Sequence, residues 1–384
     1  MTPILIIGTG GNTGIGLALV SAAKGYKSCF AMSKTLAKDK IEAMSIYGSE
    51  VVLTSGGFAT PGHYFHTAKR RAAETKGGFW ANQFDNEANF RSHIEGTGPE
   101  IVVQTKGQVD GFICSSGTGG TISGVSQYFK SLNNGVTCAI IDCEGSALLD
   151  FVNLEQKAED IKNTDIEGYQ TKLVPTSPGD SIAEGIGINR ISGNFARAQI
   201  DKATQGTNQE VVDMVYYLLQ KEGLNVGPSA ALNVVGAVKL ARELGPGKTI
   251  VTVLCDSGER YKTKIFNKEW LAGRGLEVDS KNFENAASLK IGAWNWKTPK
   301  EGEEAAPAPT KASIAAAAAA KEAAEAEAKA AETKTEESPA VAVPESEKEV
   351  EQPAKDSKEQ EEVQASEASE PAAASETEAP AKTE

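Results

Sequence analysis

Along the first 275 positions, short apolar runs alternate with amphipathic stretches. Residues 4–7, 28–32, 50–54, 110–115, 136–141 and 249–254 have strand length, and the last two are rich in β-branched residues. Helical spacing of apolar positions covers 15–24, 35–47, 62–75, 87–107, 208–222 and 230–243. Several of these stretches stop at glycine, as at Gly25, Gly48 and Gly245-Pro246-Gly247. Continuous apolar strands alternating with helices predict an α/β fold around a mostly parallel sheet. The pattern breaks near Trp296. From 299 to 384, Ala, Glu, Lys, Pro and Ser dominate and no aromatic occurs, which predicts a disordered acidic tail with one transient helix from 313 to about 333.

The net charge of -13 belongs to that tail: from Glu301 onward 22 acids face 8 bases, while the first 300 residues hold 30 acids and 31 bases. A balanced body gives no basic face for nucleic acid. No run nears the roughly 20 apolar residues of a membrane span. Five cysteines without C-x-x-C argue against a disulfide scaffold or zinc ribbon. With no secretory signal, the expected location is the cytoplasm, or the mitochondrion if a presequence preceded Met1. His63-x-x-His66 could pair on one helical face for a metal, but no third ligand is near in sequence, and a surface helix is expected. Cys138 and Cys143 read as packed thiols. Cys255 stands at a strand end, where open sheets bind ligands, but a packed thiol is the default for it too. Trp294 and Trp296 are expected to close the body.

Chemistry concentrates in two glycine loops. The first, Gly8-Thr9-Gly10-Gly11-Asn12-Thr13-Gly14-Ile15-Gly16, joins a strand to a helix. Read as T-G-x-x-x-G-I-G it matches a short-chain dehydrogenase, whose glycines admit a dinucleotide pyrophosphate. The Tyr-x-x-x-Lys pair such an enzyme needs is present only as Tyr217 and Lys221, about 205 residues on. Met32-Ser33-Lys34 stands where a ribose-binding acid belongs. The second loop, Ser116-Gly117-Thr118-Gly119-Gly120-Thr121, opens a helix. Its consecutive amides and its hydroxyls suit one phosphate, and no Walker lysine follows.

Together with W-A-N-Q-F-D-N-E-A-N at 80–89, T-G-P-E-I at 97–101, E-G-I-G at 184–187, G-P-S-A-A-L-N at 227–233 and the run at 245–261, these loops resemble the cysteine synthases, pyridoxal-phosphate enzymes of fold type II. The resemblance covers about 1–275. It implies two three-layer open-sheet domains of the tryptophan synthase β-like kind, shortened at the N-terminus: 1–86 as the remainder of a small mobile domain, 87–298 as the large domain, and 299–384 as the tail. It implies pyridoxal 5'-phosphate as cofactor, held by Asn12 at the ring hydroxyl, by Gly117, Thr118, Gly119, Gly120 and Thr121 at the phosphate, and by Ser229 at the pyridine nitrogen. Thr9, Gly10, Gly11, Thr13 and Gln83 would grip the substrate carboxylate. The implied reaction replaces the acetate of O-acetylserine with sulfide to give cysteine, in a homodimer. The chain departs from the family at Gly10, where the family has serine or alanine, and at Ser229-Ala230-Ala231, where it has S-S-G or similar.

The family's Schiff-base lysine precedes the loop asparagine by about 30 residues. Only eleven residues precede Asn12 here, none of them lysine. Lys24, Lys34, Lys38 and Lys40 follow the loop and read as solvated charges. The expectation is therefore a chain inactive as it stands, shortened from a complete enzyme. The alternatives are a non-catalytic protein that binds cofactor or amino acid, and an interaction protein working through its tail.

Overall fold

The computed structural model describes residues 3–36, 38–152, 162–279 and 291–292. The chain divides into two units, Met1–Ala330 and Ala331–Glu384, and every described residue belongs to the first. The expected tail, its helix, Trp294 and Trp296 lie outside the described residues.

Two four-stranded parallel sheets carry the fold. The first is built from β1 (Ile4–Gly8), α1 (Asn12–Ala23), β2 (Lys27–Ser33), α2 (Lys38–Ser45), β3 (Glu50–Thr54), α3 (Tyr64–Glu74) and β4 (Gly78–Trp80), with strand order β3-β2-β1-β4. Ile6, Cys29 and Ala31 pack on α3 through Ala68 and Ala72, while Ile7, Phe30 and Met32 pack with Ala18 of α1 and Met44 of α2. Both faces are thus covered, which is why these strands read as unbroken apolar runs.

The second sheet comes after α4 (Ala88–Ser92) and α5 (Gly98–Gln104). It contains β5 (Gly111–Cys114), α6 (Gly120–Ser131), β6 (Thr137–Cys143) and α7 (Leu148–Val152). A hairpin, β7 (Lys162–Ile166) and β8 (Tyr169–Leu173), is inserted before β9 (Lys202–Gly206), α8 (Asn208–Lys221), α9 (Pro228–Leu244), β10 (Ile250–Val251) and α10 (Lys268–Ala272). The strand order is β10-β5-β6-β9. One face packs on α8 and α9 through Val215, Leu232 and Val235. The other packs on α5 and α6 through Val102, Val125 and Phe129.

Three differences from the sequence reading have local causes. The helix expected over 87–107 is interrupted by a π turn at His93–Thr97. It lies tight on α6, where a Cβ at Gly98 would come within 2.7 Å of the Tyr128 ring. The last strand shrinks to Ile250–Val251 because side chains, not a ladder, hold Thr252 and Val253: Asn233 donates to the Val253 carbonyl at 2.7 Å and Thr252 to that of Ile113 at 2.6 Å. The β7–β8 hairpin has no counterpart in the apolar pattern. Its strands are polar, and its turn is Glu167-Gly168, both at positive φ, a weaker signal than Asn-Gly.

Candidate functional site

Strand order locates the site. In each sheet the order reverses beside one strand: β1 lies between β2 and β4, and β5 between β10 and β6. Ligands of open parallel sheets bind beyond the carboxyl ends at such points. The loops leaving β1 and β5 are the two glycine loops.

Each loop needs its glycines. Gly11 sits at φ 131 and Gly119 at φ 87. A Cβ at Gly119 would meet the Phe195 backbone at 2.5 Å, and one at Gly120 would meet Asn89 Oδ1 at 1.9 Å. The segment 184–188 lies against both loops: a Cβ at Gly117 would stand 2.2 Å from the Gly185 carbonyl oxygen, and one at Gly10 3.5 Å from the Gly185 Cα. Asn233, 1% exposed, accepts the Ser115 N–H at 2.6 Å while donating to Val253, so one side chain fixes the exits of β5 and β10 together.

These segments enclose a cavity of about 320 Å³. Of the residues singled out from sequence, Thr9, Gly10, Gly11, Asn12, Thr13, Gln83, Gly117, Thr118, Thr121 and Ser229 line it. Gly119 and Gly120 are not among the lining residues; Gly119 precedes α6 and Gly120 begins it. The Thr9 hydroxyl is committed inward, accepting the N–H groups of Gly11 and Gly14 at 3.1 and 3.2 Å. Gln83 donates to the Gly8 carbonyl at 2.6 Å. Asn12 donates to Asp256 Oδ2 and accepts from Arg260, both at 2.8 Å. Its amide thereby ties the first sheet to the segment beyond β10. Thr118 accepts from Asn89 at 2.9 Å, and Thr121 lies 3.2 Å from His93 Nε2.

The reading of Lys40 as a solvated charge is corrected. Lys40 is 1% exposed and lines the cavity. Its ammonium pairs with Glu184 at 3.0 Å, donates to the Tyr261 hydroxyl at 2.8 Å and lies 4.5 Å from that ring's centre. Lys264 contacts Glu184 from the other side, and Tyr261 donates to Asp256 at 2.7 Å. Burial, and then the neighbouring acids Asp256 and Glu184, push the Tyr261 hydroxyl far above its ordinary range. The motifs E-G-I-G and D-S-G-E-R-Y marked Glu184 and the Asp256–Tyr261 cluster as segments. Nothing in the α2 sequence distinguished Lys40 from its charged neighbours.

The histidine pair is also corrected. His66 is wholly buried, bonding the Phe58 carbonyl through Nε2 at 2.8 Å. His63 caps α3 by accepting the Phe65 N–H. No group of three metal-ligating side chains exists among the described residues. Cys138 and Cys143 are buried as expected, but Cys255 lines the cavity. Tyr217 is half-buried on α8, packed against the core, donates to Glu222 at 3.0 Å and does not line the cavity with the first glycine loop.

The residues present fit a phosphorylated ring cofactor. The Ser115 and Ser116 hydroxyls are buried without a hydrogen-bond partner among the described residues, at the loop that opens α6. The glycines leave no Cβ between that loop and its surroundings. Ser229, in the first turn of α9, lines the cavity beside Cys255.

Residues 2–256 match the family model described as pyridoxal-phosphate dependent enzyme. A cysteine synthase of Dictyostelium discoideum is 42% identical over 275 residues, covering 71% of each chain. The chain belongs to the cysteine synthases of the pyridoxal-phosphate-dependent enzymes. A putative mitochondrial cysteine synthase of Saccharomyces cerevisiae is 34% identical, over 68% of this chain and 67% of its own. An O-acetylserine dependent cystathionine beta-synthase from Helicobacter pylori is similar in structure, with a TM-score of 0.58 and 28% identity, over 68% of this chain and 77% of that one. The α/β fold and the cofactor class are those of the family. No helix among the described residues is long and apolar enough to cross a membrane.

Proposed function

We propose that the 320 Å³ cavity binds pyridoxal 5'-phosphate together with an amino-acid substrate, and that its chemistry is β-replacement, O-acetylserine plus sulfide to cysteine plus acetate. The observation that carries this reading is the convergence of both glycine loops on one cavity at the reversal points of two parallel sheets. In this reading the 116–121 amides and hydroxyls hold the phosphate, and Ser229 meets the pyridine nitrogen as a neutral partner. Asn12 exchanges one of its present bonds for the ring hydroxyl. The amides of residues 9–11, Thr13 and Gln83 orient the amino-acid carboxylate. Bound pyridoxal phosphate supplies an electron sink for the pair left when the α-proton departs.

A second reading is favoured by Lys40. Among the described residues it is the lysine that lines the cavity, and Glu184 and Tyr261 already engage its ammonium. Held in that way by Glu184 and Tyr261, it is not free to act as a base or nucleophile. The site would then bind cofactor and amino acid with little turnover.

Cysteine formation, measured in cofactor-saturated protein given O-acetylserine and sulfide, separates the two. The first reading expects cysteine beyond one equivalent. The second expects a cofactor spectrum that responds to O-acetylserine without cysteine release. Absence of any saturable cofactor binding contradicts both. A homodimer and a location in the cytoplasm or mitochondrion belong to the same proposal.

A further inference from the structure

A second cavity of about 280 Å³ adjoins the main one, and Tyr64, Phe84, Gly187 and Ile188 are walls of both. Phe58, His63, Thr176 and Arg190 line the second but not the first, and among the described residues neither aspartate nor glutamate lines it. Arg190 is 2% exposed. Its guanidinium carbon lies 4.2 Å from the centre of the Phe58 ring, 4.1 Å from that of Phe84 and 4.8 Å from that of Phe65. Aromatic faces stabilise a guanidinium through its plane but offer nothing to its N–H edge. Correspondingly, Nη1 is buried without a hydrogen-bond partner among the described residues.

The neighbouring acid is already committed. Asp85 Oδ1 accepts the Gly193 N–H at 2.8 Å. Its Oδ2 accepts from Asn82 at 3.0 Å and from the Tyr169 hydroxyl at 2.7 Å. It forms no ion pair with Arg190 among the described residues. A buried cation whose neighbouring acid is shared among three other donors is costly, and aromatic contact repays only part of that cost. His63 adds a donor: its Nδ1 accepts the Phe65 N–H, which leaves the proton of the neutral ring on Nε2. The arrangement is a buried, cationic recess beside the proposed amino-acid site, with no acid in its lining among the described residues.

We infer that this recess is an oxyanion subsite, in which Arg190 takes a carboxylate or phosphate carried on the side chain of the amino acid held in the main cavity. The inference rests on the proposed reading of that cavity. It makes an acidic amino acid, and not only a neutral ester, a substrate or competitor.

The test is calorimetric titration of the cofactor-saturated full chain with O-phospho-L-serine, O-acetyl-L-serine and inorganic phosphate. Saturation with pyridoxal phosphate removes the 116–121 loop as a competing phosphate site. The expected result is at least about tenfold tighter binding of O-phospho-L-serine than of O-acetyl-L-serine, the preference being lost in Arg190→Met and Arg190→Gln while cofactor affinity is kept. Arg190→Lys should retain part of it. Thermal melts show whether each variant is folded. Equal affinity for the two amino acids overturns the inference, as does a preference that survives in a folded Arg190→Met protein. Inorganic phosphate binding at Arg190 without any gain for the phosphorylated amino acid also overturns it, and indicates a free-ion site. If the cofactor itself fails to saturate, the reading of the main cavity falls first and takes this inference with it.

Discussion

Buried charge distinguishes the residues that matter. Removing one partner of a buried pair leaves the other desolvated, so Lys40→Met should cost about 2–4 kcal/mol, softened because Glu184 keeps Lys264. Urea denaturation at neutral pH measures this, and Lys40→Arg should cost less. Two titrating groups pull stability in opposite directions. Burial raises Asp142 to about 6 against the amides of Leu149 and Cys143 that it accepts from. The native state therefore holds a proton that the unfolded chain sheds near pH 4, and the group's contribution is lost as pH rises through 6. Burial, then His66 and Arg190, lower His63 to about 4, so its contribution is present above 6.5 and lost as pH falls toward 4. Asp142→Asn should thus steepen the gain in stability between pH 4 and 6, by up to about 3 kcal/mol. His63→Gln should flatten it. Denaturant midpoints across that range check both signs. None of these environments was legible in sequence. Lys40 sits among less buried neighbours on α2, and its burial is decided by Glu184 and Tyr261, more than a hundred residues away, while His66 stands between buried Phe65 and Ala68 and packs against Phe58.

The elements were more legible than their ends. Strands covered on both faces carry their signal in composition, and β1, β2 and β3 stand nearly where the apolar runs predict. Helix α8 begins with a complete capping box between Thr207 and Glu210. Thr207→Ala should lower stability by about 1 kcal/mol with cofactor affinity unchanged, as melts and titrations would show. The opposite division is expected at the start of α6. Gly119→Ala must place a Cβ into the Phe195 backbone at a left-handed φ, so it should lower both stability, by about 2 kcal/mol or more, and cofactor affinity. What sequence did not convey were short or polar strands. The three residues of β4 and the polar hairpin owe their conformation to neighbours, β1 in one case and the Phe58, Phe65 and Phe84 cluster in the other.

At the scale of the molecule, the site exists because two sheets present their reversal points to each other. The joint is polar: Asn12 bonds Asp256 and Arg260, Lys40 bonds Glu184 and Tyr261, and Lys264 donates to the Thr35 carbonyl at 3.1 Å. The sequence motifs identified the loops, but only the strand order shows why loops from residues 9–13 and 116–121 share one cavity. The acidic segment from 299 onward lies outside the family match to residues 2–256. A chain ending at residue 298 is therefore expected to bind cofactor as the full chain does. A partner that binds only the full chain would assign the segment a separate role.

The central claim is that this cavity holds pyridoxal phosphate through the 116–121 loop. Its most direct test is a fluorescence titration of the full chain with the cofactor, run beside Thr121→Val and Gly119→Ala proteins whose melts show them folded. The account predicts saturable binding of one cofactor per chain, weakened on the order of tenfold or more in both variants. Equal binding by the variants, or no saturable binding by the native chain, would contradict it.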